Sequence, residues 1–339
     1  MFARNIAWLD MQRVGEIPLV KKLAKQAKAS AMTPAKQKLL EAAAAIRLDP
    51  DEAEAAFMAR HLVQCTLPHS NPGTVQRWLR RSGNLTLVIQ PGWDTQKDSS
   101  LGYPYGSIPR LLLFWVTTEA VKTKNRRLEL GNSLAGFMRS VGLDPNTGGG
   151  KRGDAKRLRD QMNRLFRCRI SFDQVMSRDD GAHGTRWLDM QVAPDGEFWW
   201  DPKQPEQTAL WGSWIELGEK FFQAILASPV PLDLRALRAL KRSPLALDLY
   251  AWAAYKVWVV NQKEEPQFIP WTGLMEQLGG DYDAKRIDRF KDKVKTSFRK
   301  VGTVFPEGLN VKWHRTGLSF LPGKRPAILP RRKTLASIS

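Results

Sequence analysis

The chain has 339 residues, room for two or three domains with real cores, and its 42% hydrophobic content excludes wholesale disorder. Lys and Arg total 53 against 34 Asp and Glu, a formal net charge of +19. A catalyst acting on small neutral substrates has no need of that excess. A protein that holds a polyanion gains from it, because each phosphate neutralised by a cation releases condensed counterions.

No run of about 18 uninterrupted apolar residues occurs. The nearest, Leu245 to Val260, contains Asp248 and Lys256. The first 20 residues carry Asp10 and Glu16 and no apolar core of a secretory signal. Cys65 and Cys168 alone exclude a disulfide scaffold and fit a reducing cytoplasm. The expectation is a soluble cytoplasmic protein with nucleic acid, not a membrane, as its partner.

Residues 18 to 62 read as helical. Thr33-Pro34 starts a run through Glu41 and four alanines, and Asp49-Pro50-Asp51-Glu52 supplies a turn and an acidic helix start with Phe57, Met58 and Leu62 as its apolar face. Leu85 to Gln90 alternates like a short strand before a Pro91-Gly92 turn. Leu111 to Val121 is a strongly apolar helix started by a proline, Leu128 to Leu130 an extended step, and Ser133 caps a short helix closed by Gly142. A Gly- and Pro-rich loop leads into a basic helix, Asp154 to Arg167. A strand from Arg169 to Val175 then turns at Asp179-Asp180-Gly181 and returns over Arg186 to Val192.

That order of elements repeats. Leu245 to Val260 is the apolar helix again, Phe268 to Pro270 the extended step, Thr272 to Leu278 the short helix, and Asp283 to Val301 the basic helix. Leu309 to His314 and Leu318 to Leu321 form the hairpin. Leu158–Phe166 aligns with Phe290–Phe298 at an offset of 132 residues. Helix, strand, helix, helix, strand, turn, strand is the order of a winged helix-turn-helix. The expected fold is mainly α with small β-hairpins (α+β): tandem winged-helix domains preceded by a helical N-terminal region. The segments are 1–100 for that region, 101–218 and 219–325 for the two modules, and 326–339 for a basic flexible tail.

In the first basic helix, Ala155, Leu158, Met162, Leu165 and Phe166 form one apolar stripe, and rotation by about 100° per residue turns Lys156, Arg157, Asn163, Arg164 and Arg167 away from it. From Lys151 to Ile170 there are eight basic residues against Asp154 and Asp160, with Lys151 and Arg152 leading in. In the second, Ile287, Phe290, Val294, Phe298 and Val301 form the stripe, with Lys285, Arg289, Lys293, Thr296 and Lys300 outward. Both faces have the composition of a recognition helix, with Arg forks for guanine edges and Lys or Thr for phosphates, although a solvated surface helix carries the same residues. The hairpin tips add Arg178, His183 and Arg186 in the first module and His314 and Arg315 in the second. Lys122, Lys124, Arg126 and Arg127 form a basic loop.

Enzymatic patterns fail on inspection. His61, Cys65 and His69 recur at i, i+4 and i+8, but Pro68 interrupts the helix and a fourth zinc ligand is missing nearby. Gly148-Gly149-Gly150-Lys151 lacks the first glycine and the Ser or Thr of a phosphate loop. No nucleophilic tyrosine stands near clustered metal ligands. The reading is non-enzymatic, with no cofactor. Among the 13 tryptophans, Trp115, Trp252 and Trp258 lie on apolar helical faces and read as core, and Trp199, Trp200, Trp211 and Trp214 read as packing the two modules together.

The stretch from Phe57 to His69, Asn84-Leu85-Thr86-Leu87, Gln90-Pro91-Gly92-Trp93, Gly102 to Gly106, Ile108 to Leu113, Thr118 to Val121, Leu128 to Gly131 and Arg157 to Met162 together resemble the plasmid-encoded RepA family of bacterial replication initiators. The resemblance runs from about residue 55 through the second repeat, and Pro104 to Phe172 is its most specific part. It implies an initiator that binds repeated sites, iterons, in double-stranded plasmid origin DNA. Such a protein opens an adjacent AT-rich stretch, brings in host replication proteins, and exists as a homodimer as well as a monomer. It carries over no catalytic motif. A transcriptional repressor without an initiation role, an origin nickase using Tyr282 or Tyr105, and a structured-RNA binder are the competing readings.

Overall fold

The computed structural model describes residues 32–50, 53–146, 153–177, 181–201, 203–279 and 284–328. The first element among these residues is helix α1 (Pro34–Leu48), whose Thr33 side chain accepts from the Lys36 amide at 3.3 Å and whose proline occupies the first turn, where no amide is needed. Next comes β1 (Ala55–Ala59), then the short α2 (Arg60–Gln64). Phe57 and Met58 therefore sit in a strand, not on a helix as expected. β1 pairs antiparallel with a distant segment, Phe57 opposite Pro231, and its Phe57 amide donates to the Thr118 hydroxyl at 2.9 Å. Alanine-rich sequence has little strand preference of its own, so this non-local pairing overrides it.

The following hairpin is β2 (Trp78–Ser82) and β3 (Leu85–Gln90), followed by the two-residue strands β4 (Trp93–Asp94) and β5 (Ser99–Ser100). Helix α3 (Ser107–Thr123) buries residues on nearly every side, as a helix apolar all round must. After β6 (Arg127–Gly131), the Ser133 hydroxyl caps α4 (Leu134–Ser140) by accepting from the Gly136 amide at 3.1 Å. Helix α5 (Asp154–Phe166) leads into the long hairpin β7 (Arg169–Ser177) and β8 (His183–Gln191), then β9 (Asp195–Glu197) and β10 (Ser213–Glu216). The linking stretch contains α6 (Glu219–Ala227), β11 (Pro229–Asp233) and α7 (Leu234–Leu240). The last part is α8 (Pro244–Lys263), β12 (Gln267–Pro270), α9 (Trp271–Leu278), α10 (Ile287–Val304), β13 (Val311–Trp313) and β14 (Gly317–Phe320).

The fold is α+β, and its strands are more extensive than small hairpins. β2-β3-β7-β8 form a four-stranded antiparallel sheet in which Leu87 stands opposite Phe172 and Phe172 opposite Leu188. That sheet joins strands from before residue 100 to the hairpin that follows α5. The order of elements repeats, but the pairing does not. In the second copy the step strand β12 pairs with β14, which pairs with β13. In the first, the step strand β6 pairs with β10, and the free edge of β7 is taken by β3. Arg126, bound to Glu216 at 3.0 Å and Glu219 at 2.9 Å, and Arg127, 3.8 Å over the Trp214 ring, hold β6 to β10. Half of the basic loop thus has a structural task.

The long helices α3 and α8 meet at a buried ion cluster. The Arg110 guanidinium donates to both carboxylate oxygens of Asp248 at 2.7 Å and to the carbonyls of Leu67, Pro68 and Gly106 at 2.7–3.0 Å. The His69 ring bonds the same carboxylate at 2.8 Å. This cluster ties the two halves together, a task the sequence reading gave to the linker tryptophans. Those tryptophans serve the first half instead. Trp200 stacks on Phe137 at 5.3 Å and donates to the Gly131 carbonyl at 3.2 Å, while Trp199 and Trp211 form an exposed pair. α1 lies against α7 and α10, where Arg47 donates to the Thr303 carbonyl at 3.1 Å and Arg235 to that of Asp49 at 2.8 Å.

Candidate nucleic-acid interface

Both basic helices form, and their predicted apolar stripes face inward. Ala155, Leu158, Met162, Leu165 and Phe166 are all buried, as are Phe290, Val294, Phe298 and Val301, with Ile287 half-buried. α10 is held by an aromatic cluster. Phe298 meets Trp252, Trp313 and Phe320 at 5.4–6.3 Å between ring centroids, and Trp313 stacks on Trp271 at 5.8 Å. With its inner side locked in this way, the orientation of the outer side follows. Arg289, Lys293, Thr296 and Lys300, spaced i, i+4, i+7 and i+11, form one exposed stripe. No ion pair among the described residues involves the three cations of that stripe. Arg299 and Lys295, which the sequence reading left out, are exposed on the flanks. Lys285 is exposed in the 3-10 turn (Ala284–Arg286) just before the helix.

The α5 face is spent differently. The Arg164 side chain is only 18% exposed, ion-pairs with Asp160 at 3.0 Å, donates to the Tyr103 carbonyl at 3.3 Å, and lies where a Cβ on Gly102 would meet it at 2.7 Å. It is a strut under the 102–105 loop, not a group free to read a base edge. Arg167 donates to the Trp93 carbonyl at 2.8 Å and holds the β4–β5 turn. Arg157 pairs with Asp154 at 3.1 Å but stays exposed, and Asn163 is half-buried. Lys156, and Arg159, which the sequence reading passed over, are exposed with no ion pair among the described residues. Arg164→Ala is expected to lower thermal stability while leaving base preference unchanged, whereas Arg157→Ala or Lys156→Ala leaves melting unchanged within about 0.5 kcal/mol. Paired thermal melts and binding selections separate the two kinds of arginine.

His183 is exposed at the tip end of β8, opposite Ser177, Arg186 is exposed further along the strand, opposite Gln174, and Arg315 is exposed in the turn between β13 and β14. Lys151, Arg152 and Arg178 lie outside the described residues, as do Tyr282, the glycines at 148–150 and the tail from residue 329. The three residues weighed for zinc go separate ways. Cys65 is fully buried and its thiol is pushed up to about 12 by burial. His61 lies 5.2 Å from the Phe172 ring, its basicity lowered by burial and then by the charges of Arg60 and Arg186. His69 is committed to Asp248. No group of three metal-ligating side chains occurs among the described residues. No helix among them is long and apolar enough to cross a membrane.

No curated protein matches the chain. Two crystal structures of domains 2 and 3 of RctB resemble it at 12% and 11% sequence identity, with TM-scores of 0.42 and 0.41, covering 75% of this chain and 93% of each of theirs. A family model described as plasmid encoded RepA protein matches residues 103–273. The matched half of the chain opens at Tyr103, beside the Arg164 strut, and closes at Gly273 in α9. It takes in both long helices, their Arg110–Asp248 junction and the first basic helix, but stops short of α10. By that extent, the chain belongs to the plasmid-encoded RepA family.

Proposed function

We propose that the chain is a non-enzymatic plasmid replication initiator that binds repeated sites in double-stranded origin DNA. The outer stripe of α10 is its principal reading surface, and the exposed cations of α5 are the second. The stripe on α10 carries the reading. Three cations and a hydroxyl share one exposed helix face, with no ion pair to the cations among the described residues, in a chain of net charge +19. The order of α9, α10 and the β12-β14-β13 sheet is the one expected of a winged helix-turn-helix and supports that reading, in which Arg315, in the turn between β13 and β14, would stand at the tip of the wing. The first copy keeps the helices and enlarges the hairpin into a sheet, so its contribution is positional as much as base-specific. Membership of the RepA family supports the initiation role and the recruitment of host replication proteins.

DNase I footprinting on the plasmid's own non-coding DNA, with excess random competitor at near-physiological salt, tests the reading. Regularly spaced protected repeats are the expected result. Protection confined to one palindrome at the promoter would make the protein a repressor. The absence of a sequence-specific footprint, with double-stranded RNA competing as well as DNA, would assign the basic faces to RNA.

A further inference from the structure

Trp258 was expected in the core and is 54% exposed. It stands on α8 with Tyr255, the two rings close to parallel at 22° and 6.2 Å apart, over a groove of about 1310 Å³. The groove runs along the outer side of the β1–β11 ribbon, whose Phe57 and Pro231 line it. Arg60 and Lys122, both exposed, line it as well, as does Arg325, and no carboxylate is among its described lining residues. An aromatic wall with cations along an apolar floor selects a ligand with flat apolar faces and repeated negative charge. A DNA duplex hides its base faces in the stack, whereas an unpaired strand offers both features at once. An extended peptide suits the groove less well. Pro229 and Pro231 have no N–H to give, so β11 makes a poor edge for an added strand.

We propose that this groove holds single-stranded DNA, with bases stacked on Tyr255 and Trp258 and phosphates beside Arg60 and Lys122. The inference deepens the initiator reading by giving it a place for a melted strand, and it rests on residues separate from the α10 stripe. The two therefore fail separately.

The test is fluorescence anisotropy of the full chain with a labelled oligothymidylate of about 15 nucleotides, run beside a duplex origin fragment. Trp258→Ala is expected to weaken the oligonucleotide about tenfold or more, and Trp258→Phe to keep most of the binding, since a phenyl ring still stacks. Arg60→Glu with Lys122→Glu is expected to weaken it and to flatten its salt dependence. All these variants keep duplex affinity within about twofold, while Lys293→Glu with Lys300→Glu shows the reverse pattern. Oligonucleotide binding that ignores Trp258→Ala and the Arg60/Lys122 reversal overturns the proposal. So does an equal loss of duplex and oligonucleotide binding in Trp258→Ala, which would mark a merely structural role. Sedimentation in which Trp258→Ala abolishes self-association, with oligonucleotide binding intact, would give the groove to a second copy and overturn it too.

Discussion

Replacing Asp248 with alanine is expected to remove about 3–5 kcal/mol of stability, the usual cost of leaving one partner of a buried ion pair uncompensated. Arg110 is 1% exposed, and five hydrogen bonds hold its guanidinium, two of them to this carboxylate. The carbonyls of Leu67, Pro68 and Gly106 supply dipoles but no net charge, so the cation stays buried without its counterion. His69 loses its acceptor in the same step. Urea unfolding reads the loss as a lower midpoint at unchanged slope. The pair Arg110→Met with Asp248→Leu should recover much of it, because an apolar pair of similar volume needs no desolvation of charge. An Asp248→Ala midpoint equal to that of the native chain would show that α3 and α8 are held by apolar packing alone.

The same cluster fixes the direction of the acid response. Burial alone would raise the Asp248 carboxyl, but the Arg110 charge and the hydrogen bonds from His69 and Arg110 hold it below its ordinary value. A carboxyl lowered on folding contributes stability that is present above the unfolded value, near 3.9, and lost as the pH falls through the folded one. His61 acts earlier. Its folded basicity is lowered, so the unfolded chain takes up the proton first, and stability falls as the pH drops below about 6.5. Unfolding midpoints measured against pH are expected to show a shallow decline from that point and a steeper one below about pH 4. His61→Phe is expected to remove the shallow part only.

The second large effect belongs to α10. Reversing Lys293 and Lys300 to glutamate is expected to lower affinity for duplex DNA roughly 10- to 100-fold at near-physiological salt, and to reduce the slope of log affinity against log salt by about 2. Both side chains are exposed, with no ion pair among the described residues, so melting should stay within about 0.5 kcal/mol. The loss should be even across sequences, since a lysine on a phosphate carries no base information. Arg289→Ala should instead cost about 1–3 kcal/mol at one base pair and relax preference there. A salt slope unchanged by the double reversal would remove α10 from the interface.

The sequence by itself settled whatever is written along a single element. The stripes Leu158–Met162–Phe166 and Phe290–Val294–Phe298 told which side of each basic helix is buried, because 3.6-residue periodicity records burial directly. Thr33 and Ser133 marked helix starts through caps that bond within three residues, and alternation placed β3 at Leu85–Gln90. The tertiary structure decided what each exposed or paired group meets. Arg164 looked as free as Lys156 until the Tyr103 carbonyl, 61 positions away, and the bare Cα of Gly102 claimed it. Asp248 looked like an interruption in an apolar helix until Arg110, 138 positions away, met it. Ala55–Ala59 became a strand because β11 was there to pair with it, and Trp258 stayed in solvent because none of the described residues covers it. Periodicity tells that a face must be covered or left in water. Which partner covers it is fixed by contacts between residues far apart in the chain, and these leave no mark on local sequence.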